Sequence, residues 1–210
     1  MIALPNYADI NGRPMKKLQI QQYLRKLQLN DFEPAVNLAT LTKLQDAHLK
    51  YIPYENFDCL NGKITSLKRQ DMFNKVIMHN RGGICFELNG LYNWLLESLS
   101  FDVTSYSARF IDKMETYQLR RHRVMCVALG DKRYLTDVGV NSESPRVPLE
   151  ITEGLIQSDG ISQYKFTRSE FWGWLLWQKE RGKIWKRLFG FTEEPQIDKD
   201  FITASFWCDA

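Results

Sequence analysis

Arg81-Gly82-Gly83-Ile84-Cys85 places a thiol just behind two glycines, at the head of a run spaced for a buried helix: Phe86, Leu88, Leu91, Leu95 and Leu96. Paired glycines before a helix allow backbone geometry that residues with a Cβ avoid. At the helix start, unpaired N–H groups and the positive end of the macrodipole favour an anion. An ordinary thiol is only a few per cent ionised at neutral pH, whereas a helix N-terminus with a nearby imidazolium brings its pKa to between roughly 3.5 and 7.5. Cys85 is therefore the candidate nucleophile. Cys59, Cys126 and Cys208 have no such setting and read as inert packing. Glu87 and Arg81 read as an ion pair shaping the turn, and Asn89 as a buried hydrogen-bonding residue.

Such a nucleophile needs a base. The chain has three histidines. His48 lies in a helical pattern just before Pro53 and reads as a structural histidine with its hydrogen bonds satisfied. His79 falls near a helix C-terminus, where a charged imidazole is favourable, and reads as surface. His122 is different, because it opens the hairpin HRVMCVALGDKRYLTDVGV, whose Gly130-Asp131 suits a two-residue type II′ turn. That turn sets Leu129 against Lys132 and, counting outward, Val124 against Asp137. His122 shares the face of Val124 and lies diagonal to Asp137, at roughly 7–8 Å between backbones. A hydrogen bond between carboxylate and imidazole closes that span, fixes the tautomer and leaves the other ring nitrogen for a thiol. Cys85, His122 and Asp137 are the candidate nucleophile, base and orienter.

The elements that must hold these groups follow from periodicity. Helical spacing runs through Leu18, Tyr23, Leu24 and Leu27, and again through Leu38, Leu41, Leu44 and Leu49, where Pro53 closes the segment. Residues 69–79 predict a third helix, capped by Asn80. After Phe101 the pattern turns to short strands, and from Ser169 the stretch EFWGWLLWQKERGKIWKRLFGF reads as helix again. Helices, then strands, then helix predict an α+β fold. Trp172, Trp174, Trp177 and Trp185 crowd the last quarter and read as core or a covering surface. Phe110 and Tyr117 are candidate linings of an aromatic pocket. Arg120, Arg121 and Arg123 flank His122, either as a solvated strand edge or as partners for phosphate.

Composition bounds the rest. At 210 residues the chain suits one domain or two small ones, and 44% hydrophobic with 25% charged residues excludes disorder and collagen-like repeats. A net charge of +3 is too small to argue for nucleic acid. Four cysteines without a CxxC pair suit neither a disulfide scaffold nor a zinc module, so no metal is expected and the thiols point to a reducing compartment. No apolar run long enough to span a membrane and no signal peptide is present, which predicts a soluble, cytoplasmic protein without a membrane partner.

RGGICFELNGLYNWLLESLSF resembles the Arg-Gly-Gly-x-Cys-x-Glu-x-Asn signature of the arylamine N-acetyltransferases. LQDAHLKYIPYENFD is similar to the family's helix leading into Pro-Phe-Glu-Asn, with Tyr54 at the Phe. RRHRVMCVALGDKRYLTDVGV carries the family's His and Asp at His122 and Asp137, with Asp-Val-Gly at 137–139. Pro148-Leu149-Glu150 and WKRLFGFTEEPQIDKDF are similar to later family segments. Three departures stand out. Val140-Asn141-Ser142 replaces a Phe-Gly-Gly-like stretch, no glycine precedes Phe101, and Ala210 comes where family members continue through a Thr-x-Pro-x-Ser segment.

The resemblance implies three parts: a helical bundle over 1–100 ending in the helix with Cys85, a β-barrel over 101–168 with His122 and Asp137, and a shortened helical lid region over 169–210. It implies a papain-like Cys-His-Asp triad and ping-pong transfer of acetyl from acetyl-CoA to an aromatic amine or hydrazine. Arg121, Arg123 and Gly139 are then the candidate coenzyme contacts. Two alternatives stay open. The same triad on another acyl donor would be an amide synthase or acyl-CoA hydrolase. A chain without its lid would be a binding remnant for acyl-CoA or a partner, its exposed face favouring a homodimer.

Overall fold

The computed structural model describes residues 12–111 and 118–209. Among these, five helices come first: α1 (Lys17–Lys26), α2 (Leu38–Tyr51), α3 (Phe57–Leu60), α4 (Arg69–Phe73) and α5 (Cys85–Ser98). Asn37 caps α2 by accepting the Thr40 N–H at 2.8 Å, and Ile52, just before Pro53, has already turned extended. The segment begun by α4 continues as a π-helical turn, Asn74–Met78, and stops where Asn80 takes a left-handed φ of 55°. α5 is buried from Cys85 to Leu96, so Glu87, Asn89 and Asn93 within it all need polar partners.

Eight strands follow: β1 (Asp102–Phe110), β2 (His122–Leu129), β3 (Lys132–Thr136), β4 (Leu149–Glu150), β5 (Gln157–Ser158), β6 (Ser162–Ser169), β7 (Gly173–Glu180) and β8 (Lys186–Gln196). They form one antiparallel sheet in the order β4-β3-β2-β1-β8-β7-β6-β5. Its two edges meet through a side chain: Gln157 accepts the Glu150 N–H at 2.7 Å and donates to the Glu150 carbonyl at 2.9 Å. The sheet is therefore a near-barrel, with its edges tied rather than left open. The β2–β3 hairpin has the expected register, Leu129 against Lys132. Of the two turn residues only Gly130 has positive φ, 64°, as a type II′ turn requires.

β2 is enclosed on both faces. Met125 and Val127 join the helical core with Leu88, Leu91 and Leu95, while Val124 and Cys126 join the barrel interior with Phe166 and Phe189. Period-two alternation then puts His122 on the barrel side of the strand.

The expected C-terminal helix is not formed. Trp174, Leu175, Leu176 and Trp177 lie in β7 and Leu188 to Phe191 in β8, paired antiparallel, with Gly182 (φ 75°) in the connection. A short apolar run without clear alternation fits either element, and the Arg181-Gly182 turn signal decides for a hairpin. The sheet thus extends to Gln196 rather than ending at residue 168. After it come a 3₁₀ turn, Asp198–Phe201, and a short helix, α6 (Ile202–Asp209). No helix among the described residues is long and apolar enough to cross a membrane.

His48 is fully buried, as a structural histidine would be, but neither ring nitrogen has a hydrogen-bond partner among the described residues. It packs instead between Tyr23 and Tyr92, ring centroids 6.1 and 5.3 Å away. Burial lowers its pKa to about 3. An unfolded imidazole takes up its proton near ~6.5, so between these values the unfolded state binds more protons and stability falls as pH is lowered. Denaturant unfolding from pH 7 to 4 will show stability dropping by up to about 1.4 kcal/mol per pH unit. His48→Leu will flatten that slope, whatever its absolute stability.

Candidate active site

Cys85 is the first residue of α5, and its helix start is braced from outside. Glu87 accepts the Ile84 N–H at 2.9 Å and pairs with Lys75 at 2.8 Å. Lys75 also meets Asp58 at 2.9 Å, Asp58 meets Arg81 at 3.1 Å, and Arg81 meets Glu55 at 2.8 Å. The expected pair of Glu87 with Arg81 is therefore not made; each takes a different partner in one chain of charges. Lys75, followed by Arg81, holds the Asp58 carboxyl down at about 2. Both glycines are required by close approach: a Cβ on Gly82 would fall 2.0 Å from the Pro53 carbonyl oxygen, and one on Gly83 2.7 Å from Glu87.

His122 and Asp137 are joined as the hairpin count expects. Nε2 of His122 lies 2.7 Å from Oδ2 of Asp137, and both side chains are closed off from solvent. The other carboxylate oxygen, Oδ1, accepts from Asn89 Nδ2 at 2.8 Å and from the Gly139 N–H at 2.9 Å. Asn89 in turn donates to the Arg123 carbonyl at 2.6 Å and accepts the Val138 N–H at 2.9 Å. It is one helical turn from Cys85 on the same face of α5, so one rigid element carries both the candidate nucleophile and the clamp on Asp137.

The thiol and the imidazole are not hydrogen-bonded to each other. Cys85 Sγ donates to the Arg121 carbonyl at 3.8 Å, one residue before His122, while Nδ1 of His122 is buried without a partner among the described residues. Burial pushes the Cys85 thiol up, with Cys208 and Asp137 adding to the effect. The Phe86 backbone N–H and the Arg121 guanidinium pull it back. This is opposite to the lowering expected from the helix terminus alone: desolvation outweighs the dipole. Cys85 keeps 8% of its surface exposed and His122 none, so of the two residues only Cys85 is open to an incoming molecule.

The other expected contacts divide. The Phe110 ring lies 5.0 Å from that of His122, and Arg121 stands over Phe110 at 5.8 Å. Tyr117 lies outside the described residues. Arg123 does not face an incoming phosphate: its buried guanidinium pairs with Asp198 at 2.9 Å and donates to Ser105 at 3.1 Å. Gly139 is a point of close approach, where a Cβ would sit 2.8 Å from Asn89 and 2.9 Å from the Cys85 Cα. The sequence reading missed Phe189, whose ring lies 5.4 Å from His122, because β8 was read as helix. The Arg181-Gly182 turn signal between the two apolar runs is the cue the sequence offers.

A family model described as N-acetyltransferase matches residues 37–210. The chain is 34% identical over 191 residues to the arylamine N-acetyltransferase of Mycolicibacterium smegmatis, covering 88% of this chain and 68% of that one. It belongs to the arylamine N-acetyltransferase family. The arylamine N-acetyltransferase of Escherichia coli K12 is 30% identical over 174 residues, covering 82% of this chain and 61% of its own length. The chain thus spans 61% to 68% of the length of these curated relatives. Its fold is similar to that of the arylamine N-acetyltransferase from Salmonella typhimurium, with a TM-score of 0.87 at 26% identity, covering 93% of this chain and 70% of that one.

Within this member of the family, Asn89 is the tie between α5 and the Asp137 turn. Asn89→Ala leaves the buried Val138 N–H without its partner, while Asp137 Oδ1 keeps the Gly139 N–H. The expected cost is about 1–3 kcal/mol for the group left unsatisfied. A drop in the urea midpoint with an unchanged m-value will measure it.

Proposed function

We propose that this chain transfers an acetyl group from acetyl-CoA to an arylamine or arylhydrazine through a thioester on Cys85. The observation that carries the reading is the buried hydrogen bond of 2.7 Å between His122 and Asp137, with Nδ1 of the same ring unclaimed beside the thiol-bearing helix start. Family membership supports the donor and acceptor classes.

Because burial disfavours a lone thiolate here, ionisation is a proton transfer inside the site. The Cys85 side chain rotates from the Arg121 carbonyl to Nδ1 of His122, and the imidazole takes the thiol proton. Asp137 steadies the imidazolium. The thiolate adds to the acetyl carbonyl carbon, and the backbone N–H of Cys85 meets the oxygen as it gains charge. The carbon–sulfur bond to coenzyme A then breaks, and the imidazolium returns its proton to the departing thiolate. One thioester replaces another, so this half-reaction is near thermoneutral. An arylamine, neutral at pH 7, next adds through its nitrogen; His122 takes the amine proton and passes it to the Cys85 sulfur as the amide leaves. The charge of Arg121, which already pulls the thiol down, assists the thiolate rather than a distant phosphate.

Incubation with acetyl-CoA will give a single acetyl adduct by intact mass, mapped to Cys85 and absent from Cys85→Ala. An adduct undiminished in that variant overturns the reading. Asp137→Asn will keep the ring in place but favour the wrong tautomer, lowering turnover on the order of 10⁴-fold.

A further inference from the structure

A second thiol stands in the same corner as Cys85. Ile84, Cys85, Phe86 and Phe201 form one apolar cluster, and Cys59, Leu67, Ala204 and Cys208 pack against it. Ala204 and Cys208 are four residues apart on α6, so one face of that helix meets the cluster. The start of α6 is anchored: the Phe201 ring lies 6.0 Å from that of Phe86 and beneath the Arg123 guanidinium at 4.7 Å. Arg123 also holds Asp198 at 2.9 Å. Phe206 and Trp207 near the far end of α6 are exposed, and Cys208 beside them is half-buried against the cluster. The last turn of an eight-residue helix adjusts at little cost. Electrostatics agrees with the packing. Among the charges that raise the Cys85 thiol, Cys208 acts more strongly than Asp137. Tyr54, pushed up to about 12 chiefly by burial, feels Cys85 first, then Cys208, then Cys59.

We propose that Cys208 is the resolving thiol of Cys85, closing a disulfide that removes the nucleophile from use when a hydroperoxide is present. In the first step the Cys85 thiolate attacks the peroxide; the O–O bond breaks, sulfur is oxidised to a sulfenic acid, and the peroxide leaves as alcohol or water with the proton His122 took up. In the second step the Cys208 sulfur displaces that hydroxyl as water and the S–S bond forms. Two thiols are oxidised and one peroxide is reduced. The first step rests on the proposed function only in needing His122 as the proton acceptor. The bridge protects as well as inhibits, because a sulfenic acid without a neighbouring thiol goes on to sulfinic acid irreversibly.

The test treats the whole chain with a small excess of hydrogen peroxide, blocks remaining thiols with iodoacetamide and maps peptides without reduction. The expected result is a mass lower by two hydrogens, a linked peptide pair containing Cys85 and Cys208, and full reversal by dithiothreitol. Cys208→Ser will instead gain oxygen at Cys85 that dithiothreitol does not remove. A bridge from Cys59 to Cys208, oxygen gained at Cys85 in the unaltered chain, or no change of mass overturns the proposal. Acetyl-CoA added before peroxide separates the two readings: a bridge without any acetyl adduct leaves this proposal standing and removes the acetyl-transfer reading.

Discussion

The buried carboxylate of Asp137 is the point on which three elements converge. It takes hydrogen bonds from His122 on β2, from Asn89 on α5 and from the Gly139 N–H beyond β3. A carboxylate out of water is costly unless its oxygens are all met, and here they are. The same contacts fix relative positions. Asn89 lies one helical turn from Cys85, so satisfying the carboxylate also sets how far the sulfur stands from the imidazole. Gly139 completes the arrangement by letting the backbone run against the Cys85 Cα, where any side chain would collide.

That convergence needs a strand with two buried faces. β2 supplies it, with helices on one side and barrel on the other, so His122 leaves the solvent while its neighbour Arg123 points to the helical side. Arg123 then neutralises Asp198 and lies over Phe201, which ties the turn after β8 to the back of the site. A cation beside His122 thus serves the architecture.

Local chemistry was legible in the sequence wherever few residues determine it. The two-residue turn at Gly130-Asp131 sets the hairpin register, and the register sets His122 near Asp137. Pro53 and Asn80 likewise mark helix ends with their backbone preferences. What stayed hidden depends on distant partners. Glu87 and Arg81 carry opposite charges a few residues apart, yet Lys75, Glu55 and Asp58 compete for them in space and win. Trp174 to Trp177 carry no alternation because β7 packs on both sides, so the period that separates strand from helix is erased by burial itself. Cys208 gives no sign in the sequence, since nothing local announces that α6 packs against the cluster around Cys85.

The dry setting of Cys85 explains how one site can hold a reactive sulfur and keep it quiet. In a low dielectric an isolated thiolate is penalised, and the helix terminus does not repay the loss of water. The same low dielectric strengthens the attraction between a thiolate and an adjoining imidazolium once the proton has moved. In the proposed reaction the neutral pair and the ion pair are therefore both enclosed, and the carboxylate behind the ring sets the balance between them. A water-filled cleft would favour the thiolate alone and leave it open to any passing electrophile. In the proposed reaction, burial couples ionisation of Cys85 to His122, the partner held by Asp137, so the constraint that fixes the geometry also selects when the sulfur reacts.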